Sequence, residues 1–183
     1  MAGFEETLVA AREGEAWALV RLFRLIYPRF VCYVGAVTPT DAEDVAADAW
    51  LDVARGLHRF EGDEQAFRAW AFTIARRRLL DLQRSRARRR TDPVDPEDLV
   101  GAGGAGDVEE EALTSIGTGW AIRLITSSLS SDQAEVVILR VIGGLGVDEV
   151  AAIMGKRRGT VRVLQHRALR RLAQVLEGQG VTR

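Results

Sequence analysis

Three aspartates spaced four residues apart, Asp44, Asp48 and Asp52, are the first candidates for chemistry in this sequence. On a helix this spacing puts their carboxylates on one face, opposite an apolar stripe. They could be divalent-metal ligands of a phosphoesterase, or a surface that binds a basic protein. Metal sites in helical bundles usually point inward and recruit His or Glu from other helices, and neither His58 nor His166 is next to this face. Protein binding is the better interpretation, although any single aspartate could simply be solvated.

A second candidate site is a basic helix–turn–helix near the C-terminus. Two predicted helices, over 147–154 and 159–176, are joined by Gly155 and a run of three basic residues, Lys156, Arg157 and Arg158. A Gly-containing turn of this length can set the second helix into a DNA major groove, and the positive helix N-terminus favours phosphate. On the second helix Arg162, His166 and Arg170 share one face. A solvated basic helix is the plainer alternative, but the basic turn and basic face together favour DNA.

A third candidate is a helix rich in arginine. Residues 68–90 contain nine Arg and only Asp81 as an acid. Crowded like charges mildly destabilise an isolated helix, so an external anion such as DNA would explain them. Phe60 and Trp70 could offer stacking surface to unpaired bases. The alternative is that both rings belong to the core. We favour the core for Trp70, and for Phe60 the two interpretations are balanced.

Nothing in the sequence supports nucleophilic catalysis. The chain has two His, no G-x-S-x-G motif and no metal-binding His pair, and the Gly cluster at 101–106 is not followed by Lys and Ser or Thr. Cys32 is the single cysteine, so neither a disulfide within the chain nor a Cys-based metal cluster can form. We therefore expect a protein that is not an enzyme and that has no cofactor.

The elements that must position these residues are predicted to be helices throughout. Apolar side chains recur at helical spacing in almost every segment, and strand-like alternation of useful length is missing. Thr40 with Glu43, and Ser130 with Gln133, match the capping-box pattern that begins a helix. We predict two helices in 4–37 broken near Gly14, followed by helices at about 40–57, 64–89, 109–129, 132–142, 147–154 and 159–177.

One segment interrupts the helices and divides the chain. Residues 91–110 contain two Pro and a Gly-rich run, and residues 91–112 contain eight acids and no base. This composition predicts a flexible acidic linker at 91–110 between helical domains at 1–90 and 111–183. The first residues lack the basic region of a signal peptide, and no apolar run approaches the ~20 residues that span a bilayer. We expect a cytoplasmic protein without membrane insertion.

Four segments, in order, resemble the extracytoplasmic-function sigma factors of RNA polymerase. Residues 41–51 (DAEDVAADAWL) resemble their region 2.2, and residues 67–82 (FRAWAFTIARRRLLDL) resemble regions 2.3 and 2.4. Residues 133–140 (QAEVVILR) resemble region 4.1, and residues 159–172 (GTVRVLQHRALRRL) resemble the recognition helix of region 4.2. The resemblance covers nearly the whole chain outside the linker. It implies an all-helical, two-domain protein that directs polymerase to promoters.

The resemblance also implies roles for particular residues. The core polymerase would be bound by Asp44, Asp48, Trp50, Leu51 and Asp52. The −10 promoter element would be captured and opened by Phe60, Glu61, Arg68, Arg76, Arg77, Arg78 and Arg84. The −35 element would be read by Lys156, Arg157, Arg158, Thr160, Arg162, Gln165, His166 and Arg170. An anti-sigma factor is a further implied partner.

The sequence departs from the family pattern at several places. Arg77 stands where the family commonly has Asn, Ser130 replaces the usual Pro, and Gly146 replaces a capping Ser or Thr. The turn at 156–158 is more basic than usual. A promoter sequence is therefore not inherited from the resemblance. The alternative function is a helix–turn–helix regulator that binds DNA without core polymerase, and a metal-dependent nuclease built on the three aspartates is a more remote one.

Overall fold

The structure, a computed structural model, describes residues 3–91 and 111–178, and all of their regular secondary structure is helical. The all-helical, two-domain prediction is confirmed, while almost all of the predicted linker lies outside the described residues. Short 3-10 turns at Pro39–Asp41 and Leu57–Arg59 flank the third helix. The α-helices are α1 (Phe4–Arg12), α2 (Ala16–Gly35), α3 (Ala42–Gly56), α4 (Glu64–Thr91), α5 (Glu111–Ser128), α6 (Ser131–Val141), α7 (Val147–Met154) and α8 (Arg158–Gly178).

The first domain packs α2, α3 and α4 around an aromatic core, and α1 covers one end. Phe30, Tyr33, Phe67 and Phe72 are fully buried in it. Phe30 and Phe72 meet edge to face, with ring centroids 5.4 Å apart and an interplanar angle of 87°, a favoured geometry for aromatic pairs. This core fixes the outward faces of α3 and α4, which carry two of the three candidate sites.

The second domain is a smaller bundle in which α8 packs against α5, α6 and α7. Its buried side chains include Leu139, Leu145, Val150 and Val161. The predicted capping box at Ser130 and Gln133 is confirmed and begins α6. Because α7 and α8 share this core, the orientation of the candidate recognition helix is fixed by packing on three neighbours.

The predicted capping box at Thr40 and Glu43 is wrong. The helix begins two residues later, at Ala42, and a 3-10 turn precedes it. The Thr40 hydroxyl donates instead to the Asp41 carboxylate, at 2.7 Å. Arg86 from α4 holds the same carboxylate at 2.6 Å. A tertiary ion pair therefore replaces the local capping signal.

Two further findings concern the polarity of the fold. No helix in the described ranges is long and apolar enough to cross a membrane. Cys32 is half-buried on α2, and its burial raises the pKa of the thiol.

Candidate functional site

The outward face of α3 carries the acidic stripe. Asp44 and Asp48 are exposed, while Ala46, Ala49 and Val53 on the opposite face are fully buried. Leu51 is also exposed, at 47%. A large apolar side chain beside exposed carboxylates offers both contact area and charge to a basic partner.

The remaining residues of the α3 set are tied to the first domain itself. Asp52 accepts a hydrogen bond from Arg78 Nε at 2.6 Å and lies 3.4 Å from Arg55 Nη1. Trp50 is partly buried and meets Phe23 edge to face, with centroids 5.3 Å apart. Asp52 and Trp50 therefore connect α3 to its neighbours, whereas Asp44 and Asp48 remain open to solvent.

The arginines of α4 divide into two kinds. Arg77 and Arg84 are exposed, and among the described residues Arg84 makes its ion pair with Asp81 on its own helix, at 2.9 Å. Arg78 is bound to Asp52, and Arg68 to Glu64 one turn earlier. Arg77 has no hydrogen bond or ion pair with the described part of the chain. The basic face predicted from the count of arginines is thus partly neutralised by acids of the fold.

The loop that precedes α4 places Phe60 in the core. Its side chain is 8% exposed, stacks on Trp70 with centroids 4.9 Å apart, and meets Phe67 edge to face. Glu61, its neighbour, is exposed. In this structure Phe60 therefore presents little ring surface to a base, and its role in −10 binding stays a prediction.

Arg76 connects the two domains. It donates from Nε to Glu135 Oε1 on α6 at 2.8 Å, and the buried hydroxyl of Tyr33 donates to the same oxygen at 2.7 Å. Arg76 and Glu135 are only 22% and 18% exposed. Burial, reinforced by the Glu135 charge, raises the pKa of Tyr33 well above its usual range, so the phenol stays protonated and donates.

The helix–turn–helix is formed by α7, a tight turn and α8. Gly155 ends α7 in the left-handed conformation, with φ of 63°, which glycine adopts without strain. Of the three basic residues that follow, Lys156 pairs with Asp132 at 2.8 Å and Arg158 pairs with Asp148. Arg157 is exposed. The turn is therefore oriented by two ion pairs within the second domain.

On α8 the side chains of Val161 and Ala168 are fully buried and form the inward face of the helix. The candidate base-reading residues Thr160, Arg162, His166 and Arg170 are all exposed, and Gln165 is half-buried at the edge of the packed face. The −35 set therefore lies along the turn and the stretch of α8 from Arg158 to Arg170. The −10 set lies on the first domain.

The metal-site alternative finds no geometric support in residues 3–91 and 111–178. No group of three or more His, Cys, Asp or Glu side chains there is placed to hold a metal ion. Asp52, one of the three proposed ligands, is already bound to Arg78.

Sequence reasoning missed several residues that the structure connects. Glu135 and Tyr33 are 102 residues apart, and Asp41 and Arg86 are 45 residues apart. No local pattern marks such pairs, since a partner at that distance is found only when the fold is known.

Family models match both domains. Sigma-70 region 2 matches residues 22–90, and Sigma-70, region 4 matches residues 120–172. The two matches are separated by the stretch that contains the predicted linker. Each candidate DNA-binding surface therefore falls inside one matched region.

Comparison with individual proteins also finds sigma factors. The chain is 34% identical to the ECF RNA polymerase sigma factor ShbA of Streptomyces griseus, over 91% of this chain and 92% of that protein. It is 31% identical to SigD of Mycobacterium tuberculosis, over 96% and 85% respectively. The solved structure of the sigma factor RpoE with the anti-sigma factor NepR from Bartonella quintana is 25% identical, with a TM-score of 0.60, over 86% of this chain and 95% of that one. The chain therefore belongs to the extracytoplasmic-function sigma factors of RNA polymerase, which direct the initiation of transcription.

Proposed function

We propose that this sigma factor divides its work between its two domains, at 1–90 and 111–183. The first binds core RNA polymerase through α3 and captures the −10 element through α4. The second reads the −35 element through α7 and α8. The observation that carries this proposal is that one acidic and two basic surfaces lie exposed on separate faces of a two-domain helical protein.

The polymerase contact is assigned to the exposed part of α3. Asp44, Asp48 and Leu51 are open to a partner, and exposed carboxylates favour a basic surface. Asp52 and Trp50 belong to the same proposed interface, but their contacts with Arg78 and Phe23 mean that they also hold α3 in place. Reversing a charge at Asp48 should therefore affect binding more cleanly than at Asp52.

The −10 contact is assigned first to the exposed arginines of α4, Arg77 and Arg84. Arg68, Arg76 and Arg78 remain in the proposed set, and each of them must exchange an acidic partner for a phosphate or a base. The exchange costs least at Arg78, which is the most exposed of the three at 38%, because exposed ion pairs contribute only about 0–1 kcal/mol. Arg76 is bound to Glu135 of the second domain, so its release requires movement of that domain.

The −35 contact is assigned to one end of α8 and to the turn before it. Arg157 and the N-terminus of α8 would position phosphates, while Arg162, His166 and Arg170 point toward base edges. Thr160 and Gln165 flank this surface, and Lys156 and Arg158 orient the turn through Asp132 and Asp148. The arrangement separates residues that position the helix from residues that read sequence.

The protein would carry out no catalysis itself. Unpaired bases held by side chains of the first domain stabilise the opened strand, and the polymerase performs RNA synthesis. Its proposed partners, core polymerase and promoter DNA, support a site of action in the cytoplasm. An anti-sigma factor is proposed as a further partner, since the solved RpoE structure contains one.

The test is run-off transcription with purified core polymerase and a library of promoter fragments, combined with direct measurement of core binding. We expect transcripts from a defined −10 and −35 pair. Asp48→Lys should weaken core binding by about tenfold or more, because it places like charges together. Glu13→Lys, which reverses an exposed acid at the end of α1, should bind normally. DNA binding without any core binding would instead indicate a free-standing regulator.

A further inference from the structure

Val163 lies on the outward face of α8. It is 48% exposed, although most large apolar side chains of the second domain are packed. At about 100° per residue, Arg170 lies about 20° and His166 about 60° from Val163 around the helix axis. The buried Val161 and Ala168 lie about 160° and 140° away. Arg162 lies about 100° away on the same side as His166 and Arg170, so Val163 borders the face that carries these three residues.

The position of Val163 along α8 also favours contact with DNA bases. Val163 is the sixth residue of α8, and the N-terminal residues of a recognition helix are those that contact base edges. Valine cannot donate or accept a hydrogen bond, and its branched side chain is stiff and lowers helix propensity slightly. A solvated position offers no packing in return for an exposed valine. An apolar partner that arrives with the DNA would provide it.

The major groove contains one apolar group, the C5-methyl of thymine, and small apolar side chains contact it. We propose that Val163 reads a thymine methyl in the −35 element, and that it is a specificity-determining residue of this sigma factor. The inference rests on the proposed function, because it requires α8 to enter the major groove. It adds an apolar contact to an otherwise polar and basic reading surface.

Another exposed apolar residue on the same helix provides a matched control. Leu169 is 50% exposed, as much as Val163, but it lies about 120° around the helix from Val163 and further toward the C-terminus. The two residues therefore face different sides of α8, and only Val163 lies among the N-terminal residues of the helix. Leu169→Ala removes apolar surface from α8 without touching the proposed contact.

The experiment replaces each thymine of the −35 element, one at a time, with deoxyuridine. This base keeps every hydrogen-bonding group of thymine and lacks only the C5-methyl. Binding of the holoenzyme, formed from the full chain and core polymerase, is measured on each duplex. At one position the wild type should bind about fourfold more weakly, the value expected for one buried methyl group. Val163→Ala, which lacks both γ-methyl groups, should show a smaller difference between the two duplexes, and Leu169→Ala should keep the wild-type difference.

Each outcome decides between the proposals. If the wild type binds the −35 element specifically but no thymine methyl matters, the assignment of Val163 is overturned. The same follows if Val163→Ala keeps the full wild-type difference, since another residue would then contact the methyl. If neither core binding nor −35 binding is found, the proposed function itself fails. Because Val163 is exposed, circular dichroism of Val163→Ala should match the wild type, so that folding does not confuse the comparison.

Discussion

Single arginines on α4 have distinct roles that their sequence does not reveal. Residues 68–90 look like one uniform basic helix. In the structure Arg78 is held by Asp52, Arg86 by Asp41 and Arg76 by Glu135. The sequence predicts a basic helix correctly but cannot tell which charges are used inside the fold, because each of these acids lies on another element.

Substitutions of Arg86 and Arg84 test whether some arginines of α4 stabilise the fold while others remain available to DNA. Arg86 donates to Asp41 at 2.6 Å and to Thr38 at 3.1 Å, which ties the end of α4 to the start of α3. Hydrogen bonds from Thr38, Thr40 and Arg86 lower the pKa of Asp41. Arg86→Ala should lower the free energy of unfolding by about 1 kcal/mol.

Arg84→Ala is the matched control, because its ion pair with Asp81 is exposed and lies within one helix. It should change the free energy of unfolding by less than about 0.5 kcal/mol while weakening −10 DNA binding. Urea denaturation followed by circular dichroism measures the first quantity, and binding of a −10 oligonucleotide to the holoenzyme measures the second. Equal losses of stability in the two variants would contradict the assignment of Arg86 to the fold and of Arg84 to DNA.

At the scale of elements, helix periodicity and turn residues predict most of the fold. The capping box at Ser130 is confirmed because its two partners are local, three residues apart. The one at Thr40 is wrong because Asp41, between its members, is bound by a residue 45 positions away. Local signals therefore fix a helix end only where no tertiary contact competes for the same side chains.

The two glycines around the turn of the helix–turn–helix should respond oppositely to alanine. Gly155 has a φ of +63°, whereas Gly159 lies within α8, and at both positions a Cβ would meet nothing within 4 Å. Backbone conformation is thus the only difference. Gly155→Ala should destabilise the second domain by about 1 kcal/mol because L-residues are strained in the left-handed region.

Gly159→Ala should instead stabilise it by about 0.5 kcal/mol, through the higher helix propensity of alanine. Thermal unfolding of the full chain, followed by circular dichroism, compares the two variants under one set of conditions. A lower melting temperature for Gly159→Ala would contradict this account. The prediction of a turn at Gly155 from sequence was possible because the requirement is local.

At the scale of the whole molecule, the sequence predicts two domains and the structure adds a contact between them. Tyr33, Arg76 and Glu135 form a polar cluster in which one carboxylate accepts from two donors of the other domain. Gln65 also donates to the carbonyl of Gly144, at 3.4 Å. The family resemblance assigns Arg76 to DNA, yet here the second domain occupies it. Contact between the domains and use of Arg76 by the −10 element therefore exclude each other.

Glu135→Gln should shift the protein toward separated domains and release Arg76. The substitution keeps the size of the side chain but removes the charge, and hydrogen bonds to charged groups contribute about 1.5–3 kcal/mol. That energy changes the ratio of contacting to separated domains by about tenfold or more. The radius of gyration from small-angle X-ray scattering should rise, and the free protein should bind a single-stranded −10 oligonucleotide more tightly.

Glu177→Gln removes an equal charge from an exposed position at the end of α8 and should change neither quantity. An unchanged radius and unchanged oligonucleotide binding for Glu135→Gln would mean that the cluster does not control access to Arg76, and that the remaining contacts between α4 and α7 hold the domains together without it.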